Sequence, residues 1–330
     1  MNVHTILDPE MRALVTAFEA FRLDRSSLER VRREAQEHEP PALGVVDGIP
    51  TAVANVYLSR AQDDGSKLRI LTVEPLGAGG GEGGRSEVRG GILHLHGGGY
   101  VLGRPELALP FLQRLAVRTG CLVASPEYRL APEHPFPAAL EDSQLALEWL
   151  AGKAKSRKVG VVGDSAGGGL AAAVTIAARD KAKVAPATRG LAFQILLHPM
   201  LDDRTVTQPG PVRNPTTGAY VWTRESNRFG WESMLGESRR PGEPDTPVLA
   251  APAREEDLSR LPPSLVLVGG LDLYLDENVD YAMRLNRAGV PTELRVYSGT
   301  PHNFLAVAGS RIAQAAEREM VEHILRSTAA

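Results

Sequence analysis

Short apolar runs alternate with helix-like windows along most of the chain, and this alternation constrains the fold more than any other feature. The runs have the length of buried strands, and a stretch with helical periodicity separates each from the next. Parallel strands need such crossovers, so the pattern predicts an α/β fold with a mostly parallel central sheet flanked by helices on both faces. The predicted strands are Leu68–Val73, Ile92–Leu95, Cys121–Ala124, Val159–Val162, Phe193–Leu197, Ser264–Val268 and Glu293–Tyr297. The predicted helices lie near 106–118, 138–152, 167–180, 277–288 and 309–326.

Three segments depart from the alternation. The first forty residues are predicted to be helical, since Asp8-Pro9-Glu10 supplies a capping acid and a proline at the first helical position. Residues 77–91 are almost all glycine and charge, which predicts a long surface connection. Residues 202–247 are rich in proline, arginine, threonine and aromatic residues, and we expect them to form an insertion between two strands.

Composition excludes several classes of protein. The 330 residues are 43% hydrophobic and 23% charged, as in ordinary globular proteins, and a net charge of −3 gives no attraction to nucleic acid or to an anionic membrane. The single cysteine, Cys121, cannot form an internal disulfide. The sequence has no uncharged apolar stretch of about 18 residues and does not begin like a secretion signal. We therefore expect a cytoplasmic protein with no nucleic-acid or membrane partner.

The pentapeptide Gly163-Asp164-Ser165-Ala166-Gly167 directly follows the predicted strand Val159–Val162 and precedes a helical window. A serine at a tight strand-to-helix turn presents its hydroxyl above the sheet, and small flanking residues are needed where strand and helix crowd the turn. A glycine-rich turn with an incidental serine is the alternative. The placement between strand and helix favours Ser165 as a nucleophile.

A second glycine motif, His96-Gly97-Gly98-Gly99-Tyr100, stands at the end of the predicted strand Ile92–Leu95. Three successive glycines weaken local structure, but they let backbone amides approach a substrate closely. Amides that meet the negative oxygen of a tetrahedral intermediate stabilise it strongly. We assign an oxyanion hole to the amides of Gly98, Gly99 and Ala166.

The histidines of this motif also allow a metal-site interpretation. His94 and His96 are two residues apart on a strand, so both could face one side and bind a metal. The sequence nearby offers no further ligand cluster, so we expect no metal and no cofactor.

A nucleophilic serine needs a base and an acid that orients the base. His302 follows the predicted strand Glu293–Tyr297, where parallel sheets place their sites. Asp272 is the first acid after the strand Ser264–Val268, whereas Asp276 and Glu277 fit the first turn of the next helix. We therefore predict Ser165, Asp272 and His302 as catalytic residues, in the chain order of α/β hydrolases.

With these motifs in place, the chain resembles the hormone-sensitive-lipase-like family of α/β hydrolases, the bacterial esterases with HGGG and GDSAGG. The resemblance rests on HGGGYVLG at 96–103, EYRLAPEHPFPAALED at 127–142, GDSAGG at 163–168, HPMLDD at 198–203 and GTPHNF at 299–304. It supports the same triad and the same oxyanion hole. Three positions depart from the family pattern: Leu273 replaces a usual proline, Asn303 a common glycine, and Gly169 a frequent asparagine.

The resemblance also implies a division of the chain. A helical cap would combine an N-terminal part, 1–45, with the insertion, 202–247. The α/β-hydrolase core would comprise 46–201 and 248–330. Large apolar side chains around the site are candidates to bind substrate. For those in the insertion, packing within a small core of the cap is an equally good explanation. These candidates are Tyr100, Tyr220, Trp222, Phe229 and Trp231.

The implied activity is that of a carboxylesterase (carboxylic ester hydrolase) that prefers short to medium acyl chains and acts through an acyl-enzyme. A lactonase or amidase with the same triad is the alternative within enzymes. A non-catalytic binding protein on the same fold is the alternative outside them. The resemblance is compatible with a homodimer. The expected binding partner is a small-molecule ester.

Overall fold

The computed structural model describes residues 5–18, 21–37, 40–60, 65–76, 88–154, 158–184, 190–206 and 214–329. Most of the glycine-rich connection predicted at 77–91 and part of the predicted insertion therefore lie outside the described residues.

The described residues form a nine-stranded sheet with the strand order β1-β2-β3-β5-β4-β6-β7-β8-β9. The first three strands and the pairing of β3 with β5 are antiparallel, and the remaining pairs are parallel. The strands are β1 Val45–Val46, β2 Ile49–Ser59, β3 Lys67–Pro75, β4 Gly91–Leu95, β5 Leu122–Pro126, β6 Val159–Asp164, β7 Gln194–Leu197, β8 Ser264–Gly269 and β9 Thr292–Tyr297.

Helices cover both faces of this sheet, as the crossover pattern predicted. Apolar residues of α3 and α8 pack with one set of alternate strand residues, and those of α4, α5 and α7 pack with the other set. In β7, for example, Ile195 and Leu197 face one layer while Leu196 faces the other. The α-helices among the described residues are α1 Arg12–Ala17, α2 Leu28–Glu37, α3 Leu109–Thr119, α4 Ala138–Ala154, α5 Ala166–Val184, α6 Arg224–Leu235, α7 Leu275–Arg287 and α8 Arg311–Thr328.

The predicted fold class is confirmed, and each strand predicted from an apolar run has a counterpart in the sheet. Two strands, β1 and the long strand β2, were not predicted from the sequence. β2 pairs with β3 from Thr51 to Ser59, yet its residues are half-buried or exposed. Because Val53 and Tyr57 face solvent, this strand lacks the continuous apolar run by which the buried strands were recognised.

Each of the two segments predicted to form a cap is joined to the rest of the protein by hydrogen bonds of an arginine. Arg32 of α2 donates hydrogen bonds to the carbonyls of Val101 and Ala131. At the start of the insertion, the fully buried carboxylate of Asp203 accepts two hydrogen bonds from Arg254. A buried carboxylate is stable only when its oxygens are paired, so this ion pair fixes the base of the insertion. Within the described ranges, no helix is long and apolar enough to cross a membrane.

The parallel strands direct their carboxyl ends to one edge of the sheet. β4 leads into the HGGG residues, β6 into Ser165, β7 into His198, β8 into Asp272 and β9 into His302. Side chains that are far apart in sequence therefore meet at this edge, as expected for open α/β sheets.

The centre of the sheet has a position that accepts only glycine. A Cβ on Gly160 of β6 would lie 2.3 Å from two ring atoms of the buried Phe193. We expect Gly160→Ala to lower the free energy of unfolding by about 1–3 kcal/mol, because the ring has no room to move. Urea unfolding followed by circular dichroism measures this loss.

Gly152→Ala is the matched control, since an added Cβ in α4 has no neighbour within 4 Å. The same replacement there should raise stability slightly through helix propensity. Equal stability of the Gly160 variant and the wild type would contradict the proposed crowding.

Candidate active site

Ser165 occupies a strained turn between β6 and α5. Its φ is +54°, a left-handed conformation that non-glycine residues seldom adopt. Strand and helix are so close that a Cβ on Gly163 would lie 2.1 Å from the Gly167 carbonyl oxygen. A Cβ on Gly169 would lie 2.0 Å from the Met200 carbonyl oxygen, so the asparagine that is frequent there in the family has no space in this chain.

The three side chains predicted as catalytic lie in one hydrogen-bonded line. The Ser165 Oγ is 2.9 Å from Nε2 of His302, and Nδ1 of His302 is 2.8 Å from Oδ2 of Asp272. All three are buried, and Asp272 is fully enclosed. Such a line lets the imidazole take the hydroxyl proton while the carboxylate fixes the tautomer that can do so.

Local backbone geometry holds the acid and the base in place. The second carboxylate oxygen of Asp272, Oδ1, accepts a hydrogen bond from the Tyr274 amide at 2.9 Å, which fixes the carboxylate plane. Directly after His302, Asn303 has φ +59°. Asparagine tolerates this conformation better than most residues, which explains how it replaces the glycine common at this position.

The segment Gly97–Tyr100, the glycine loop, passes directly over the Ser165 turn. A Cβ on Gly97 would lie 2.4 Å from Oδ2 of Asp164, and one on Gly98 would lie 2.2 Å from the Leu102 carbonyl oxygen. Gly98 and Gly99 have φ of +124° and +60°. The glycines are therefore required both by close contacts and by backbone conformation.

The amides of Gly98, Gly99 and Ala166 are available as donors. Among the described residues, no acceptor of a hydrogen bond from any of the three is found. Gly98 and Gly99 line the same cavity as Ser165, and Ala166 is the first residue of α5, where backbone N–H groups lack helical partners. This arrangement can stabilise an anionic oxygen next to the Ser165 hydroxyl.

A cavity of about 660 Å³ opens onto the triad. Its walls come from three regions rather than from the predicted insertion alone. Helices α1 and α2, with Phe18, Phe21 and Arg22 between them, form one wall. Residues 107–114, at the start of α3, form another together with Leu305, Ala306 and the start of α8. The insertion contributes Val221 and Trp222. Apolar residues from the first two walls are Ala17, Phe18, Phe21, Val31, Ala35, Leu107, Ala108, Phe111, Leu305, Ala306 and Ala313.

The five predicted substrate-binding residues fall in different places. Trp222 lines the cavity, whereas Tyr100, Tyr220, Phe229 and Trp231 are not among its lining residues. Tyr100 and Trp231 are buried against each other, with ring centroids 5.9 Å apart. The structure therefore corrects the prediction for these two residues, because their rings pack inside the protein. Tyr220 and Phe229 are partly buried against the apolar core.

His198 is a cavity residue that the sequence analysis missed. Its ring lies edge-on to the His302 ring with centroids 4.5 Å apart, and it is 1% exposed. Burial and the nearby His302 lower the pKa of His198 to about 4, so its ring is neutral at neutral pH. A histidine directly after a predicted strand, in HPMLDD, was the available signal.

Asp164, next to the nucleophile, brings a carboxylate to the cavity wall. Its Oδ1 is 3.5 Å from Nε2 of His94, whose Nδ1 is 3.0 Å from the Ser125 hydroxyl. Burial would raise the pKa of Asp164, but the interaction with His94 and the proximity of two further histidines lower it. His94 therefore has a carboxylate partner at Nε2, and His96 has the Gly97 carbonyl at Nδ1.

Among the described residues, one group of side chains has the composition of a metal site. His198, Asp272 and His302 each offer a ligand atom, and these atoms lie within 4.8 Å of one another. Oδ2 of Asp272 and Nδ1 of His302 already bond each other. A metal bound through these two atoms would displace the hydrogen bond that orients His302.

Comparison with known proteins agrees with this geometry. A family model described as the alpha/beta hydrolase fold matches residues 92–306. The esterase LipI of Mycobacterium tuberculosis is 34% identical over 227 residues, covering 66% of each protein, so the match spans just under two thirds of that relative. The ethyl acetate hydrolase of Pseudomonas putida is 30% identical over 94% of this chain and 95% of its own. The solved structure of a bacterial heroin esterase has a TM-score of 0.83 and 31% identity, covering 99% of both chains.

Because His198 is buried and neutral, we expect the folded protein to lose stability in acid. Below pH 6.5 the unfolded chain binds a proton at this residue and the folded chain does not until about pH 4. The free energy of unfolding therefore falls as the pH falls through this window. His198→Phe should reduce the loss of stability between pH 7 and pH 5 by about 2 kcal/mol.

Urea unfolding at both pH values measures the difference. His134→Gln, at an exposed histidine, serves as the control and should leave the loss unchanged. An identical pH dependence in wild type and His198→Phe would show that this residue does not titrate as described.

Proposed function

Because the chain belongs to the family of proteins with the α/β-hydrolase fold, we propose that it is a serine carboxylesterase for short- to medium-chain carboxylic esters. The observation that carries the proposal is the hydrogen-bonded line from Asp272 through His302 to Ser165, next to the amides of the glycine loop. The names of the relatives, an esterase and an ethyl acetate hydrolase, support the same reaction class.

In the first half of the reaction, Oγ of Ser165 attacks the ester carbonyl carbon as Nε2 of His302 takes the hydroxyl proton. Asp272 stabilises the imidazolium that results, through its bond to Nδ1. The carbonyl oxygen becomes an oxyanion that the amides of Gly98, Gly99 and Ala166 stabilise. The C–O bond to the alcohol then breaks, and the alcohol leaves with the proton from His302.

In the second half, water attacks the acyl-enzyme. His302 takes one proton from the water, and the same amides stabilise the second oxyanion. Collapse of this intermediate releases the carboxylic acid, and the proton on His302 returns to Ser165. Both halves balance with the ester, water and the side chains named, so the proposal includes no cofactor. The cytoplasmic location and the homodimer stay predictions.

The walls of the cavity support an ester with apolar groups on both sides of the carbonyl. Phe18 and Phe21, whose rings are 5.4 Å apart, lie on the N-terminal wall. Phe111 lies on the wall formed by α3. Charged residues also line the cavity, among them Arg22, Arg30 and Glu34. Aromatic and aliphatic walls that carry a few polar groups are typical of sites for small organic ligands.

Hydrolysis of p-nitrophenyl esters from acetate to palmitate tests the activity. We expect the rate to peak at short or medium chains and to fall by roughly three orders of magnitude or more in Ser165→Ala, because no other group can form the acyl-enzyme. The melting temperature of the variant should match that of the wild type.

Two outcomes would count against the assignment. If Ser165→Ala kept more than a few per cent of the activity, Ser165 would not be the nucleophile. If the wild type hydrolysed no member of the series, the carboxylesterase proposal would fail.

A pair of variants distinguishes cavity walls from packing residues. Phe18→Ala widens the cavity. The ratio of kcat/KM for octanoate esters to kcat/KM for acetate esters should therefore rise about tenfold. Trp231→Ala removes a fully buried ring outside the cavity and should cost about 3–5 kcal/mol of stability with an unchanged chain-length profile. The reverse pattern, with the profile altered by the Trp231 variant alone, would mean that the cavity has been assigned to the wrong residues.

A further inference from the structure

Two residues of the insertion are in contact with Gly99 of the glycine loop. The Trp222 indole lies against Gly99 so closely that a Cβ on Gly99 would be 2.4 Å from its Cη2 atom. A Cβ on Gly230 of α6 would be 2.9 Å from the Gly99 carbonyl oxygen. The Gly99 peptide is therefore packed between an indole ring and a helix backbone.

The Trp222 side chain is held at this position by an unusual backbone conformation. Val221 has φ +61°, and a β-branched residue in this region is an outlier that the surrounding structure must impose. The Trp222 amide donates a hydrogen bond to the Tyr220 carbonyl at 2.7 Å. The next residue, Thr223, caps α6 by accepting a hydrogen bond from the Ser226 amide. Strain of this kind concentrates at functional sites.

The far end of the glycine loop is anchored by another residue of the insertion and by the backbone. The Tyr100 ring packs against Trp231, and the Tyr100 carbonyl oxygen accepts a hydrogen bond from the Ala131 amide.

Hydrogen bonds within the loop fix its shape. The Gly97 carbonyl oxygen is 2.9 Å from Nδ1 of His96, and the Gly98 carbonyl oxygen accepts hydrogen bonds from the amides of Val101 and Leu102. Gly99 has no side chain, and the contacts of Trp222 and Gly230 with it support the loop from outside.

We propose that Trp222 and Gly230 are positioning residues that hold the glycine loop in the place where the Gly98 and Gly99 amides meet the oxyanion. The inference rests on the proposed esterase function. Donors of this kind contribute only when they point at the oxygen of the transition state, and loss of one such donor slows catalysis about 10²–10³-fold. The insertion thus takes part in catalysis through the glycine loop, in addition to lining the cavity.

Gly230→Ala is the decisive variant, because Gly230 is not among the cavity-lining residues and its new Cβ would press on the Gly99 carbonyl. We expect kcat to fall at least about tenfold with KM within twofold of wild type. The fall should be equal for acetate, butyrate and hexanoate esters. A trifluoromethyl ketone, which forms an anionic hemiketal on the nucleophile, should bind more weakly by a similar factor.

Gly152→Ala is the control, since it makes the same replacement in a helix with open space around it. It should leave kcat, KM and ketone affinity unchanged. A folded Gly230→Ala protein with wild-type kcat and wild-type ketone affinity would overturn the inference while leaving the esterase proposal intact. Absence of ester hydrolysis by the wild type would instead remove the proposed function.

Trp222→Phe and Trp222→Ala decide the question if Gly230→Ala fails to fold, because they remove volume and create no clash. Positioning predicts a chain-length-independent fall in kcat and in ketone affinity, larger for alanine and partly restored by phenylalanine. A change confined to KM and dependent on chain length would show that Trp222 only lines the cavity, and would overturn its positioning role.

Discussion

The site depends on the close approach of four backbone segments around Ser165. A Cβ on Gly163 or Gly167 would lie about 2 Å from a neighbouring carbonyl oxygen, and the same holds for Gly169. Only glycine permits the end of strand β4, strand β6, helix α5 and the chain after β7 to converge at this distance. Ser165 keeps its strained conformation because these contacts leave it no other. Everything else at the sheet edge is placed relative to this turn.

Convergence of the strands also explains the electrostatics of the site. Asp272 is fully buried, so its charge must be matched by hydrogen bonds, and both oxygens accept one. His198, which packs on His302, finds no hydrogen-bond partner among the described residues, and burial lowers its pKa to about 4. A neutral ring next to His302 adds no positive charge that would oppose formation of the imidazolium.

The sequence predicted those parts of the fold and the site that have a characteristic pattern of neighbouring residues. The strand-to-helix turn at Ser165 and the strand before His302 could both be read from short windows. By contrast, the sequence did not predict β2, because its residues are half-buried or exposed and form no continuous apolar run. It did not predict the contact of His198 with His302, because that contact joins residues far apart in the chain. The contribution of Phe18 to the cavity depends on where α1 docks, which is a long-range property that residue spacing does not encode.

The same distinction bears on how the site can vary. The cavity walls and the supports of the glycine loop come from different segments. Phe18 and Phe111 line the cavity, whereas Gly230 contacts the glycine loop and does not line the cavity. A change in a wall residue alters which ester fits, and a change behind the loop alters the stabilisation of every transition state equally. Trp222 belongs to both groups, since it lines the cavity and touches Gly99. Substrate preference and catalytic rate are therefore coupled at this one residue and separable at the others.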